Sequence, residues 1–372
     1  MPANTAAWLG ANRAPLDVRP APYTAPGENE IVVKNHAVAV NPLEWILQLV
    51  GDVIYPWLKY PFVLGSDVAG EVVEVGPGVT RFAAGDRVLG HAVGTDKDAN
   101  TSAGGAFQRY TVLLERMAAP IPDSMPFTDA VVLPLALSTA ACGLFQKDQL
   151  ALRYPSAAPT PTGQTVLIWG GSTSVGSNAI QLAVAAGYEV ITTASPRNFD
   201  YVRALGASQV FDYASPTIVA DLIAALARAT LAGALALGAG SASACADVLA
   251  ASRGRKFIAL ASTPATFESL ADQRGIRWRL PRILMTIGLS SARFAVSSRL
   301  RGIRSKAIFG TSLKNNEVST LIYQDFLPQA LADGRYTAAP TPMVVGHGLE
   351  QLQLALDTQR RGVSARKVIV TL

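Results

Sequence analysis

The residues best placed for chemistry stand in "WGGSTSVGSNAIQLA", positions 169–183, where glycines and hydroxyls separate an apolar run from a helical pattern. Gly171, Thr173 and Gly176 occupy the three positions of a G-x-G-x-x-G turn, with threonine at the middle one. Such a turn, opening a helix, points backbone N–H groups at a phosphate, and the helix dipole favours that charge. Ser172, Thr173 and Ser174 add hydroxyl donors, and Val175 completes the turn. About 20 residues past such a turn, an NAD site needs Asp or Glu to bind both ribose hydroxyls. This chain carries "ASPRN" there. Ser195, Arg197 and Asn198 offer donors and a positive charge, and no carboxylate stands among them to repel a 2′-phosphate. A guanidinium grips phosphate in bidentate fashion, so the expected cofactor is NADPH.

The elements that must hold these groups follow from the pattern around them. Strands are expected at "TVLIWG", "YEVITTA", "SQVFDY", "GALALG", "KFIALA" and "KAIFGTSL", with helical segments between most of them. Six strands with crossovers make a doubly wound parallel sheet. The first third differs: "EIVVKNHAVAV", "VAGEVVEVG", "DRVLGHAV" and "FQRYTVL" are short β-rich runs broken by Gly and Pro. "FTDAVVLPLALSTAACGLF" reads as helical, "RYPSAAPTPTG" as a Pro-rich connection, and the tail as strand, helix, strand. The simplest layout is a β-rich domain over 1–130, completed by 320–372, with a dinucleotide domain over 131–319.

Bulk properties narrow the class. The chain has 372 residues, 49% of them hydrophobic and 16% charged, which is a globular composition. Cys142 and Cys245 lack CxxC spacing and build neither a disulfide framework nor a structural zinc cluster. The start has no apolar core of signal-peptide length behind a basic end, so a cytoplasmic location is expected. Ala229 to Ala246 carries no charge, but it is mostly Ala, Gly and Ser, and no membrane span is expected. The net charge of +5 is concentrated. Between 271 and 306, nine basic residues (Arg274, Arg277, Arg279, Arg282, Arg293, Arg299, Arg301, Arg304, Lys306) face one acidic residue, Asp272. Apolar runs such as "ILMTIGL" interrupt them. This reads as a solvated basic insertion or as a surface for anionic partners, with nucleic acid not the expected one.

"FVLGSDVAGEVVEVGPGVTRFAAGDRVLG", "GGAFQRYTVLLERMAAPIPDSMPFTDAVVLPLALSTA" and "WGGSTSVGSNAIQLA" with "SPRNFDYVRALGASQVFDY" resemble the medium-chain dehydrogenase/reductase superfamily over essentially the whole chain. Within it the chain is most similar to the zinc-free quinone oxidoreductase and enoyl reductase branch, including fungal trans-acting enoyl reductases. The resemblance implies an α/β chain with a GroES-like β-rich domain and a doubly wound six-stranded parallel Rossmann domain. It also implies further cofactor contacts. Asn41 to Glu44 form the turn under the nicotinamide, and Tyr213 flanks the adenine side. Leu260 and Ala261 end a strand facing the nicotinamide, while Val363 and Ser364 reach back over the cofactor. Thr139 and Ser138 bind the carboxamide or line the pocket, with Trp45, Trp57 and Leu137 as its apolar walls. Tyr55 is the nearest match to a proton-donating tyrosine.

Zinc members of that superfamily need Cys, His and a further Cys or acidic ligand. "AVNPLEW" has no cysteine, the usual Gly-His-Glu is Gly65-Ser66-Asp67, and His36, His91 and His347 are scattered singly. No metal is therefore expected. Without a Lewis acid an alkoxide loses its usual stabilisation, whereas the enolate formed on reducing an activated C=C can be held by hydrogen-bond donors and quenched by one acid. The expected activity is zinc-independent, NADPH-dependent reduction of an enone, enoyl thioester or quinone, by a monomer or homodimer. The substrate is a small molecule or a carrier-bound acyl group, and an acidic carrier protein could dock on 271–306. The alternative is a sensor or RNA-binding protein that holds NADPH with little turnover.

Overall fold

The computed structural model describes residues 2–262, 267, 270 and 276–372, the side chain of Arg277 excepted. Asp272 and Arg274 of the basic segment lie outside the described residues.

The chain separates into two units, Met1–Ser138 with Leu313–Leu372, and Thr139–Ser312. The boundaries differ from the expected 130/131 and 319/320. The first falls inside the helix Pro134–Phe145, so this helix is shared between the units and does not belong whole to the dinucleotide domain.

In the first unit, the strand Glu30–Ala39 is the hub, because its apolar run is buried on both faces. One edge pairs antiparallel with Asp67–Val75. The other edge is shared, its first half taken by Tyr110–Leu114 and its end by Arg366–Thr371. Register then decides what meets what. Asp67 lies opposite Ala39 on one side and His91 on the other, and Ile369 lies opposite Ala39 across the hub's other edge. Lys367, two residues before Ile369, thus comes close to the loop that follows the hub. There Asn41 caps the helix Pro42–Ile54, with Pro42 at its first turn and Glu44 at its third position, a reciprocal capping box.

In the second unit six strands run parallel in the order Gln209–Asp212, Glu189–Ala194, Thr165–Trp169, Thr230–Ala236, Phe257–Leu260, Arg304–Ala307. A short strand, Arg253–Gly254, also pairs beside Thr230. The chain order 3-2-1-4-5-6 is that of a doubly wound sheet with a switch point beside its first strand. Five of the six strands overlap their expected segments over most of their length. The sixth is displaced: "KAIFGTSL" supplies only its last two residues, and the rest runs on into a 3₁₀ turn at Gly310–Asn315. This edge strand is polar and mostly exposed, so hydrophobic patterning passes over it.

Ala229–Ala246 is no single helix; it divides into the strand Thr230–Ala236 and the start of the helix Ser241–Ala251. Phe127–Phe145 is long and apolar enough to cross a membrane, and 72% of that stretch is buried inside the protein, as suits core helices. Pro134 breaks it into two helices.

Candidate functional site

The glycine turn joins the first parallel strand to the helix Ser174–Ala185. Gly170 has φ +87°, which a side chain would resist. A Cβ on Gly171 would lie 2.2 Å from Thr192 Oγ1, and one on Gly176 would lie 2.2 Å from the Gly170 carbonyl oxygen. Both glycines are therefore required by close packing of turn, strand and helix. Thr173 is a correction to the expected donor set. Its hydroxyl accepts the Gly176 N–H (3.0 Å) and donates its one proton to the Gly170 carbonyl (2.8 Å). It caps the helix and has no proton left for a ligand. Ser172, Ser174 and Val175 remain, the last two in a first turn whose N–H groups have no intrahelical acceptor.

The other expected contacts of this unit gather at the carboxyl ends of the same strands. Ser195 follows Glu189–Ala194, with Arg197 exposed and Asn198 buried in a short 3₁₀ turn. Tyr213, half exposed, follows the neighbouring strand, and its hydroxyl accepts from Ser195 Oγ at 3.5 Å. Asp212 beside it accepts the Ala214 N–H at 3.0 Å. Ala261 N–H donates to the Ala236 carbonyl (3.0 Å), which sets Leu260 and Ala261 beside the end of the fourth strand. Thr139 sits elsewhere in the unit, packed so close to Gly310 that a Cβ there would lie 2.7 Å from its hydroxyl.

In the first unit the expected residues Asn41 and Glu44 are drawn into a buried charge network. Lys367 Nζ lies 2.7 Å from Asp67 Oδ2, and the two side chains are 3% and 0% exposed. Asn41 donates to the same Asp67 oxygen at 2.9 Å, and its own carbonyl accepts from Lys367. Asp67 Oδ1 takes the Leu135 N–H at 2.6 Å. Glu44 accepts the Asn41 N–H at 2.7 Å. Burial pushes the Glu44 carboxyl up to about 7, the Asp67 charge adding to the rise, while Ser66, Lys367 and the Asn41 N–H oppose it.

Beside this network runs a hydroxyl chain. Tyr323 donates its only hydroxyl proton to the Pro134 carbonyl (3.0 Å), so Ser138 donates to Tyr323 (2.7 Å). His91 Nδ1 must then be the donor to Ser138 (2.9 Å), which leaves Nε2 a bare acceptor. That atom is buried and has no partner among the described residues. Burial, the largest cause, pulls the His91 pKa down to about 4, so the ring is neutral at pH 7.

Tyr55 ends the capped helix and stacks on Trp57 at 4.6 Å, and Trp57 Nε1 donates to the Thr95 carbonyl at 3.0 Å. Tyr55 is raised from its ordinary value by burial first, then by Asp96 and Glu44. Trp45, Leu137 and Ser138 are fully packed, so the expected substrate walls are here core residues; of that group only Trp57 is partly exposed. Val363 and Ser364 lie half-buried in the loop before the strand that carries Lys367. Sequence reasoning missed Lys367, Tyr323 and the use of Asp67 and His91. Of these only Lys367, at the head of the apolar run "KVIVTL", had a local signal.

An alcohol dehydrogenase GroES-like domain model matches residues 27–123. The dehydrogenase pigH of Monascus ruber is 55% identical over 100% of both chains. The trans-enoyl reductase himH of Aspergillus japonicus is 38% identical, covering 99% of this chain and 97% of its own. The chain belongs to the medium-chain dehydrogenase/reductase superfamily. An alcohol dehydrogenase superfamily protein from Novosphingobium aromaticivorans superposes with a TM-score of 0.73 at 24% identity, over 99% of each chain, a likeness of fold. Among the described residues of this superfamily member, no three His, Cys, Asp or Glu side chains cluster as a metal site.

Proposed function

We propose that the chain is a zinc-independent, NADPH-dependent oxidoreductase that reduces an activated C=C bond, in an enone or a free or carrier-bound enoyl group, or a quinone. The observation that carries the reading is the end of the second parallel strand. Ser195 and exposed Arg197 follow that strand, Ser195 donates to Tyr213 after the neighbouring strand, and "ASPRN" has no carboxylate of the kind that would select the unphosphorylated cofactor. The fit of Gly171 and Gly176 supports a dinucleotide turn, since both allow the tight packing of turn, strand and helix that such a turn needs. The names of the relatives, a dehydrogenase and a trans-enoyl reductase, support redox chemistry.

When bound, NADPH supplies the reducing hydride. The residues of this chain do the rest. The N–H groups of Ser174 and Val175 bind the pyrophosphate at the helix terminus. Arg197 and Ser195 hold the 2′-phosphate. Tyr55, whose phenol is protonated at neutral pH like any tyrosine, donates the proton that quenches the enolate. Asp67 is neutralised by Lys367, so its carboxylate already has a cation.

The test is a fluorescence titration with both cofactors, followed by a panel of quinones, enals and enoyl thioesters. NADPH should bind at least tenfold tighter than NADH, about 1.4 kcal/mol, and 4-deuterated NADPH should pass its label to a panel substrate. Equal affinities would remove the argument for NADPH. Tight NADPH binding with no turnover across the panel would favour a sensor instead.

A further inference from the structure

The helix Ile276–Leu300 has two apolar faces, and the fold uses one of them. Ile276, Leu280 and Ser298 are buried, and Phe294 packs against the core cluster containing Cys245, Val248, Leu249 and Ile303. On the opposite side Trp278 (79% exposed), Met285 (61%), Leu289 (57%), Val296 (61%) and Leu300 (84%) project outward. At 100° per residue these five fall within a sector of roughly 60°, in a stripe roughly 33 Å long. Arg282 and Arg293 border it on one flank and Arg299 on the other; all three are exposed, and none forms an ion pair among the described residues. No Asp or Glu occurs between 276 and 300. Toward its end the stripe opens into a shallow groove of about 620 Å³ lined by Ala292, Arg293, Val296, Ser297, Leu300 and Arg301.

We propose that this face docks the protein on an anionic lipid bilayer surface. Large apolar side chains in a row, with arginines on both flanks, are the pattern of a helix lying in a membrane interface. The apolar ridge enters the acyl boundary, the guanidiniums reach outward to lipid phosphates, and Trp278 sits at headgroup depth. Charge decides among occupants. A second copy would bring like-charged arginines together with no acid on either helix, whereas the negative cytoplasmic leaflet attracts them. An acidic carrier protein would satisfy the arginines. It would also have to match an apolar stripe running most of the length of the helix, which a bilayer covers without any matching shape. The proposal does not rest on the catalytic reading, and its test needs no substrate.

Full-length protein is mixed with vesicles of phosphatidylcholine alone, or with 30 mol% phosphatidylserine, and co-sedimentation and tryptophan fluorescence are read. Binding should appear only with phosphatidylserine, weaken as salt rises, and shift the emission to the blue, a shift that Trp278→Phe removes. Arg282→Gln/Arg293→Gln/Arg299→Gln, and separately Met285→Ser/Leu289→Ser/Val296→Ser, should each lower vesicle affinity at least tenfold. All these positions are exposed, and unchanged circular dichroism and an unchanged urea-unfolding midpoint would report intact folding. No binding to anionic vesicles, or equal binding by the variants, overturns the proposal. So does a concentration-dependent dimer that the serine variant abolishes in the absence of vesicle binding.

Discussion

Replacing Glu44 with glutamine should change how the protein's stability depends on pH, and the size of the change follows from one buried carboxyl. Glu44 is raised from 4.5 to about 7, mainly by burial and then by Asp67. A carboxyl that binds its proton more tightly folded than unfolded gives stability that is complete below the unfolded value and lost as pH rises through the folded one. Here the loss runs from about pH 4.5 to about pH 7 and totals about 3 kcal/mol. Most of that loss, about 2–3 kcal/mol, falls between pH 5 and pH 8. Glutamine cannot ionise, and its carbonyl can still accept the Asn41 N–H that Glu44 takes at 2.7 Å. Urea unfolding should be measured for both proteins at pH 5 and pH 8, followed by tryptophan fluorescence, since Trp8, Trp45 and Trp57 all report on the first unit. The variant should gain about 2–3 kcal/mol relative to the parent on going from pH 5 to pH 8. Titrating groups that do not interact with Glu44 cancel in the difference. A difference that stays flat across the range would mean that Glu44 is ionised in the folded protein at pH 5, and the account of its burial would fail.

Lys367→Met should cost about 3–5 kcal/mol, because it strands the Asp67 carboxylate in the core; Asp67→Asn added to it should restore part of the loss in the same urea assay. Gly176→Ala places a methyl against the Gly170 carbonyl oxygen, so cofactor affinity by fluorescence should fall at least tenfold and stability by about 1–3 kcal/mol. Arg197→Ala should weaken NADPH and leave NADH nearly unchanged; a parallel loss of both would place Arg197 away from the 2′-phosphate. Tyr55→Phe keeps the stack on Trp57 and should lower turnover roughly 10²-fold or more; unchanged turnover would assign the proton to solvent.

The second unit was legible because its signals are local. A glycine turn between an apolar strand and an amphipathic helix fits within about 20 residues, and the alternation of strands and helices repeats it. Where that reading slipped, local signals had two meanings. A hydroxyl in a phosphate turn invites the role of ligand donor, yet Thr-x-x-Gly before a helix is equally a cap, and at Thr173 the cap takes the proton. The edge strand Arg304–Ala307 was misplaced because its polar residues face solvent.

The first unit hides its chemistry in pairs set by register rather than spacing. Asp67 meets Lys367, and Ser138 meets Tyr323, only because distant strands and helices return to one hub. One sign of this was nevertheless present in the sequence. "KVIVTL" reads as a buried strand, and a lysine that begins an apolar run of that kind must either reach solvent or find a buried anion. Lys367 takes the second course. Asn41 in the loop after Ala39 offers an amide and Asp67 at the start of the neighbouring strand a carboxylate, and the charge is neutralised without leaving the core. A metal ion at this point would have to compete with an ammonium already bound to Asp67. That competition supports the zinc-independent reading through the chemistry of the residues present, and Lys367→Met is the change that would expose Asp67 to a different cation.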